Sequence, residues 1–325
     1  MTKSITLLLL APLLLAGAAL AQMGVNIKQL DDRLRVEIDG RLFTEYHFKD
    51  VPKPFFYPII GPGNASMTRN YPMQDLGNET KDHPHHKGLY YGHGSVNGEN
   101  FWAEQAPGAG RTVHVRFEEI TSGPKVGTIR SQNRIVAADE RIIGTDTRTI
   151  RIHRTSDGPM LDFDITHHAS NGTIIFDDTK EGTFAIRVAE TMVHSHPRTG
   201  RYKTDRPDEG HIVNSNGARG GDAWGQRAAW VDYYGPVDGK TVGIAIFDHP
   251  SNPRYPTWWH ARTYGLFTAN PFGVHDFEGL ENPRAGEFTI PAGKSATFRY
   301  RIYIHAGDEK AARVAEHYKE YAAAK

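Results

Sequence analysis

The sequence predicts an all-β protein: a large antiparallel β-sandwich, supersandwich-like, closed by a short C-terminal helix. Three observations carry this expectation. Apolar and polar residues alternate with period two in run after run, turn-forming glycines separate the runs, and one segment alone has a convincing helical period. Leu34, Val36 and Ile38 alternate with Arg35 and Glu37, Asp39-Gly40 suits a type I′ turn, and Arg41 to Phe48 continues as the hairpin partner. Val113, Val115 and Phe117 repeat the pattern, as do Ile150 with Ile152, and Leu161, Phe163 and Ile165. One polar face per strand implies antiparallel sheets packed on one side. Apolar runs at Phe184–Val188, Trp230–Tyr234, Val242–Phe247 and Phe298–Ile304 bring the expected strands above ten. The helical segment is Glu309 to Ala323, where Ala312, Val314, Ala315, Tyr318 and Tyr321 mix with lysines and glutamates. No βαβ spacing and no fixed-period repeat is visible, which argues against doubly wound, propeller and solenoid folds.

Residues 1–21 read as a signal peptide. Lys3 supplies the leading charge, Ile5 to Leu20 the apolar core, and Ala19-Leu20-Ala21 the small-x-small cleavage pattern. A mature chain from Gln22 to the C-terminus, as one sandwich domain of residues 22–325, is the expectation, with a periplasmic or secreted setting. No later stretch is long and apolar enough to cross a bilayer. The absence of cysteine excludes a disulfide framework, so the core must carry the stability. With 38 basic against 38 acidic residues and no basic run, nucleic acid is excluded as a partner. The 17 histidines are the informative excess.

Two long polar stretches interrupt the strands, Gly61–Lys87 and His194–Gln226, and loops of this length are functional or disordered. The first leads into His83-Pro84-His85-His86-Lys87-Gly88, then His93, Asn97 and Trp102. Histidines supply proton transfer or metal ligation, and glycines at 88, 92 and 94 let backbone approach a ligand closely. In extended chain His83 and His85 share a side and His86 takes the other, so the histidines converge only if a turn intervenes. Pro84 sets its neighbour extended. His85 and His86 are the candidate acid–base residues, with His83, His93, Asn97 and Trp102 as substrate contacts. No cofactor is required by the sequence. If a divalent metal is bound, His83, His85 and Glu181 are the candidate ligands, with Glu99 or Asp178 as other third donors. A metal site, a metal-free site and a structural hydrogen-bonding knot all remain open.

Asp177-Asp178-Thr179-Lys180-Glu181-Gly182 precedes a strand, and one raised carboxyl with an ionised partner is the least that acid–base work on a sugar needs. Glu181 is the candidate, beside a glycine that permits a special backbone angle, and Arg187 at the far end of that strand is a candidate contact. The segment Trp258 to Gly265 reads as a strand that brings Trp259, His260, Arg262 and Tyr264 to the ligand, since aromatic faces flanked by arginine grip sugar rings or carboxylates. Adjacent tryptophans face opposite ways, so one of the pair belongs to the core. His249 and His275 sit alone in turns and read as structural.

On His83–Trp102, Asp177–Gly182, His249-Pro250-Ser251-Asn252, Trp259–Gly265 and Phe298–His305, the chain resembles the bacterial PmoA-like proteins labelled "methane oxygenase PmoA". The resemblance implies a β-sandwich in an exported bacterial setting and supplies no catalytic residues. Two function classes survive. The first is an exported enzyme acting on a carbohydrate or related polyhydroxylated compound as hydrolase, lyase or epimerase, with a small-molecule or carbohydrate ligand as partner. The second is a non-catalytic carbohydrate-binding module, or a metal-dependent oxidoreductase as the family label suggests.

Overall fold

The computed structural model describes residues 23–324. The expected signal peptide therefore lies outside the described residues. Strands β1 (Val25–Gln29), β2 (Arg33–Ile38), β3 (Arg41–His47), β4 (Phe55–Ile59) and β5 (Leu89–His93) open the chain. Next come β6 (Arg111–Thr121), β7 (Val126–Val136), β8 (Ile142–His153), β9 (Met160–His168), β10 (Ile174–Phe176) and β11 (Gly182–Arg187). They are followed by β12 (His211–Asn214), β13 (Trp230–Val237), β14 (Lys240–Asp248), β15 (Trp258–Trp259) and β16 (Leu266–Asn270). Helix α1 (Val274–Glu278), β17 (Phe288–Ile290), β18 (Ser295–Ala306) and helix α2 (Val314–Ala323) complete it.

Two eight-stranded antiparallel sheets result. One has the order β1-β2-β3-β4-β5-β11-β16-β15 and the other β12-β13-β14-β18-β9-β8-β7-β6, with β10 and β17 as a separate pair. The all-β sandwich read from the alternation is thus the observed fold. Period two explains why the sheets stack: Leu34 and Val36 are fully buried while Arg35 and Glu37 pair outside. The sheets meet through rings, with Phe184 of β11 4.7 Å from Phe163 of β9 and 4.9 Å from Tyr300 of β18.

The outer face of each sheet is covered as well. On the second sheet α2 packs Val314 and Tyr321 against Trp230, Phe247 and Tyr303. On the first, Phe55, Tyr57, Tyr90, Trp102, Ala185 and Leu266 form a smaller apolar cluster under the loops. The register makes this inevitable: Tyr90 pairs with Ala185, one residue out of step with the inward Tyr91 and Phe184.

Three expectations need correction. The terminal helix starts at Val314 rather than Glu309, because Arg313 is left-handed (φ 54°) and the residues before it form turns. The Trp258–Gly265 strand ends at Trp259, and Thr263 and Tyr264 form a turn. The His194–Gln226 stretch contains β12, an edge strand on β13 that its polar composition hid. No helix of the described residues is long and apolar enough to cross a membrane.

Candidate functional site

The site lies on the outer face of the first sheet, and a turn builds it. His86 N–H donates to the His83 carbonyl at 3.0 Å and Lys87 N–H to that of His85 at 3.1 Å. His83 is left-handed (φ 41°), not the extended residue expected before Pro84. A non-glycine residue there costs about 1–2 kcal/mol, and its partners hold it. Arg69 donates to the His83 carbonyl at 3.0 Å, and His83 Nδ1 lies 2.9 Å from Asp82 Oδ2. The turn brings three histidines together where extended chain could not. The His83 and His86 rings stack at 4.7 Å, the His85 ring meets His86 edge-on at 4.4 Å, and Tyr264 stacks on His83 at 5.2 Å.

Behind the turn sits a buried charge cluster. Asp82 accepts hydrogen bonds from Arg69 and, at 3.0 Å, from Arg187 Nη2. Burial works against its charge, but His83, Arg187 and Arg69 together hold the carboxyl below the usual carboxylate range. Arg187 faces outward because it alternates with the inward Phe184 and Ile186, and its guanidinium lies 4.8 Å from the Tyr264 ring. Trp102 is oriented by Asn100, whose Oδ1 accepts from the backbone of Trp102 and Ala103 at 2.9 and 2.8 Å. Lys53 and Lys87 flank the buried Glu104 on the far side, and Lys53 also donates to the Trp102 carbonyl at 2.9 Å.

Buried polar atoms without partners mark the centre. Both ring nitrogens of His86, the Tyr90 hydroxyl, the Trp102 indole N–H and Nε and Nη1 of Arg187 are all buried and unbonded. Buried polar groups are paired as a rule, so a group of exceptions points to a missing partner. Three of these side chains adjoin one another, His86 5.5 Å from Trp102 and Trp102 5.2 Å from Tyr90, while Arg187 lies against Tyr264, whose ring is 6.5 Å from that of His86. The set is rich in donors, with both an acceptor and a donor available on neutral His86.

Electrostatics separate the titratable groups. Burial, with the Lys53 and His83 charges, pushes His85 down to about 4, and burial with Arg187 takes His86 well below its ordinary value. Both are neutral imidazoles near neutral pH. Glu181 precedes β11 on the same face as Arg187, and burial raises its carboxyl despite Lys180, His83 and Arg262. Arg262 lies 5.3 Å from the Tyr264 ring and has no carboxylate partner among the described residues. His260 is buried, accepts from the Trp224 indole at 3.1 Å, and is held down to about 3 by burial.

Of the sequence-selected residues, His83, His85, His86, Trp102, Arg187 and Tyr264 come together, with Glu181, His260 and Arg262 beside them. Three do not. His93 points inward between Phe176 and Phe272 and bonds the Asp177 carbonyl at 2.7 Å, because it lies in step with Leu89 and Tyr91. Asn97 pins a surface turn through the Thr173 carbonyl and the Ile175 N–H. Trp259 is the core member of its pair, fully buried, with its indole N–H on the Ala228 carbonyl at 2.9 Å.

The metal set also fails to assemble. Among the described residues no three His, Cys, Asp or Glu side chains are placed to hold one ion. His83 Nδ1 is engaged by Asp82, and Asp178 caps the backbone of His275 and Gly286. The glycines serve the protein rather than a ligand. A Cβ on Gly88 would meet the Phe56 carbonyl at 2.1 Å, and one on Gly182 would meet His93 Nδ1 at 2.3 Å, so Gly182 answers to close packing and not to a special angle. Reading the sequence passed over Asp82, Arg69 and Tyr90 as site residues. Asp82 beside His83 was the available signal; nothing local distinguishes Arg69, which reaches Arg187 through a backbone bond at 3.2 Å.

Residues 33–319 match a family of unknown function, DUF6807. The chain belongs to this family. That match overturns the resemblance to PmoA-like proteins, toward which no finding points. No curated protein matches the chain. Among solved structures it is similar to a kojibiose phosphorylase from human microbiome (10% identity, 67% of this chain and 25% of the other, TM-score 0.33). It is also similar to the galactosidase domain of an α-galactosidase-sucrose kinase (8% identity, 87% and 41%, TM-score 0.42). A third likeness is to a galactose mutarotase-like protein from Lactobacillus casei (10% identity, 87% and 100%, TM-score 0.33). The chain spans less than half the length of the first two. At such identities and scores these likenesses assign no ligand and no reaction to this family member.

Proposed function

We propose that the outer-face cluster is the active site of an acid–base enzyme acting on a carbohydrate or a related polyhydroxylated compound. The observation that carries the reading is the group of unbonded buried polar atoms on His86, Tyr90, Trp102 and Arg187, set beside stacked rings. Ring faces suit the apolar faces of a sugar, and convergent donors suit its hydroxyls. His85, neutral down to about pH 4, acts as base, and Glu181, with its raised carboxyl, acts as acid. The leader pattern of residues 1–21 supports action outside the cytoplasm.

The pH profile follows from these two groups. Activity falls on the acid side as His85 protonates near its depressed value, and on the alkaline side as Glu181 loses its proton. Incubating the protein with neutral and acidic saccharides and following products by NMR tests the reading. H85Q and E181Q are each expected to lower turnover by about 10²–10⁴-fold with the melting temperature unchanged, and H85Q to remove the acid limb. Saccharide binding without turnover in the wild type would instead support a binding module.

A further inference from the structure

Beside the histidine turn, Asp82, Arg187 and Tyr264 also line a cleft of about 370 Å³ that continues to Glu190, His196 and Arg201. Arg187 forms its floor and has only 1% of its surface exposed. One of its nitrogens is satisfied by Asp82, while Nε and Nη1 have no partner. A guanidinium so deeply buried with donors to spare is costly unless an acceptor completes it. Asp82 cannot, because Arg69 and His83 already share it. Arg201 on the rim and Arg262 across Tyr264 also lack a carboxylate partner among the described residues, Arg201 resting on Tyr202. Arg187 through Nε and Nη1, together with Arg201 and Arg262, thus keeps guanidinium donors that no carboxylate of the described residues takes up. Glu190 does not neutralise Arg187. One of its oxygens accepts from Thr80 and lies 3.8 Å from His196, and the other is buried without a partner.

We propose that the ligand of this cleft carries a carboxylate, as a hexuronate or its oligomers do, and that Arg187 receives that carboxylate. The inference rests on the carbohydrate reading above and narrows it. A planar carboxylate matches the free donors of Arg187, and the sugar ring that bears it stacks on Tyr264 and His83.

Calorimetric titration of the whole chain tests this with galacturonate, glucuronate and trigalacturonate against galactose, glucose, maltotriose, galacturonate methyl ester and galactose 6-phosphate. The acids are expected to bind on the order of 10- to 100-fold tighter than the neutral sugars and the ester, the factor for one or two charge-assisted hydrogen bonds. R187Q is expected to abolish that preference and R262Q to reduce it. The ester comparison needs no variant, so it decides the matter even if R187Q fails to fold. Equal affinity for acid and ester, or tighter binding of the phosphate, overturns the carboxylate and leaves the carbohydrate reading standing. Absence of binding by any saccharide overturns both.

Discussion

Arg69 joins four acceptors: the carbonyls of Tyr71, Thr80 and His83, and the Asp82 carboxylate. It has no exposed surface, and burial with the neighbouring Arg187 lowers its pKa to about 10. This residue locks the loop that carries the histidines to the sheet that carries Arg187. Removing it strands Asp82 with one buried partner fewer, and breaking a buried ion pair costs about 3–5 kcal/mol. R69L is therefore expected to lower the unfolding free energy by that amount, read from the urea midpoint and slope, and to loosen ligand binding. A midpoint within error of the wild type would show that the loop is held by other means. His85 shows how much one residue's role depends on surroundings. Its place in a histidine run was readable, but its neutral state comes from burial and from Lys53, which is far away in sequence.

At the scale of the element, β5 and β11 divide two tasks by parity. Inward residues build the core and outward ones build the site. Phe184, with no exposed surface and rings of Phe163 and Tyr300 on either side, is a core position. F184A is expected to cost about 3–5 kcal/mol, read from the denaturation midpoint. The contact between Gly182 and His93 yields a sharper expectation. G182A places a methyl group 2.3 Å from His93 Nδ1 and destabilises the sheet, while H93A opens the space. The double variant should therefore be more stable than the sum of the single losses implies; strict additivity would refute the packing explanation. Alternation alone made these strands legible. It also explained why one of Trp258 and Trp259 had to be core, though only the register with β16, which sets Trp259 beside the inward Ala269, says which one.

For the whole molecule, the buried histidines govern the response to acid. Burial holds His93 and His167 down to about 4 and His260 to about 3. In the unfolded chain each binds a proton near pH 6.5, so stability that is complete above that pH is lost as the pH falls towards 4. The slope is about 1.4 kcal/mol per pH unit for each group. Asp248 works the other way: burial raises it to about 7, so it takes its proton first in the folded state and gains stability over the same range. Burial lowers His305 but Asp232 outweighs it, so its stabilisation is complete below about pH 6.5 and is lost as the pH rises above that value. The histidines prevail, and the melting temperature is expected to fall between about pH 7 and pH 5, with H260Q flattening the fall. An unchanged melting temperature would mean these side chains are hydrated. The sequence by itself determined the sandwich, the strands and the short terminal helix, and it singled out the His83–Trp102 segment, because period-two burial and residue chemistry are local properties. Only the tertiary structure decided that His83, His85 and His86 converge while His93, Asn97 and Trp259 do not, and that Arg69, Asp82 and Tyr90 join them. Those outcomes depend on a left-handed turn, on strand register and on contacts between residues distant in the chain, none of which a local pattern encodes.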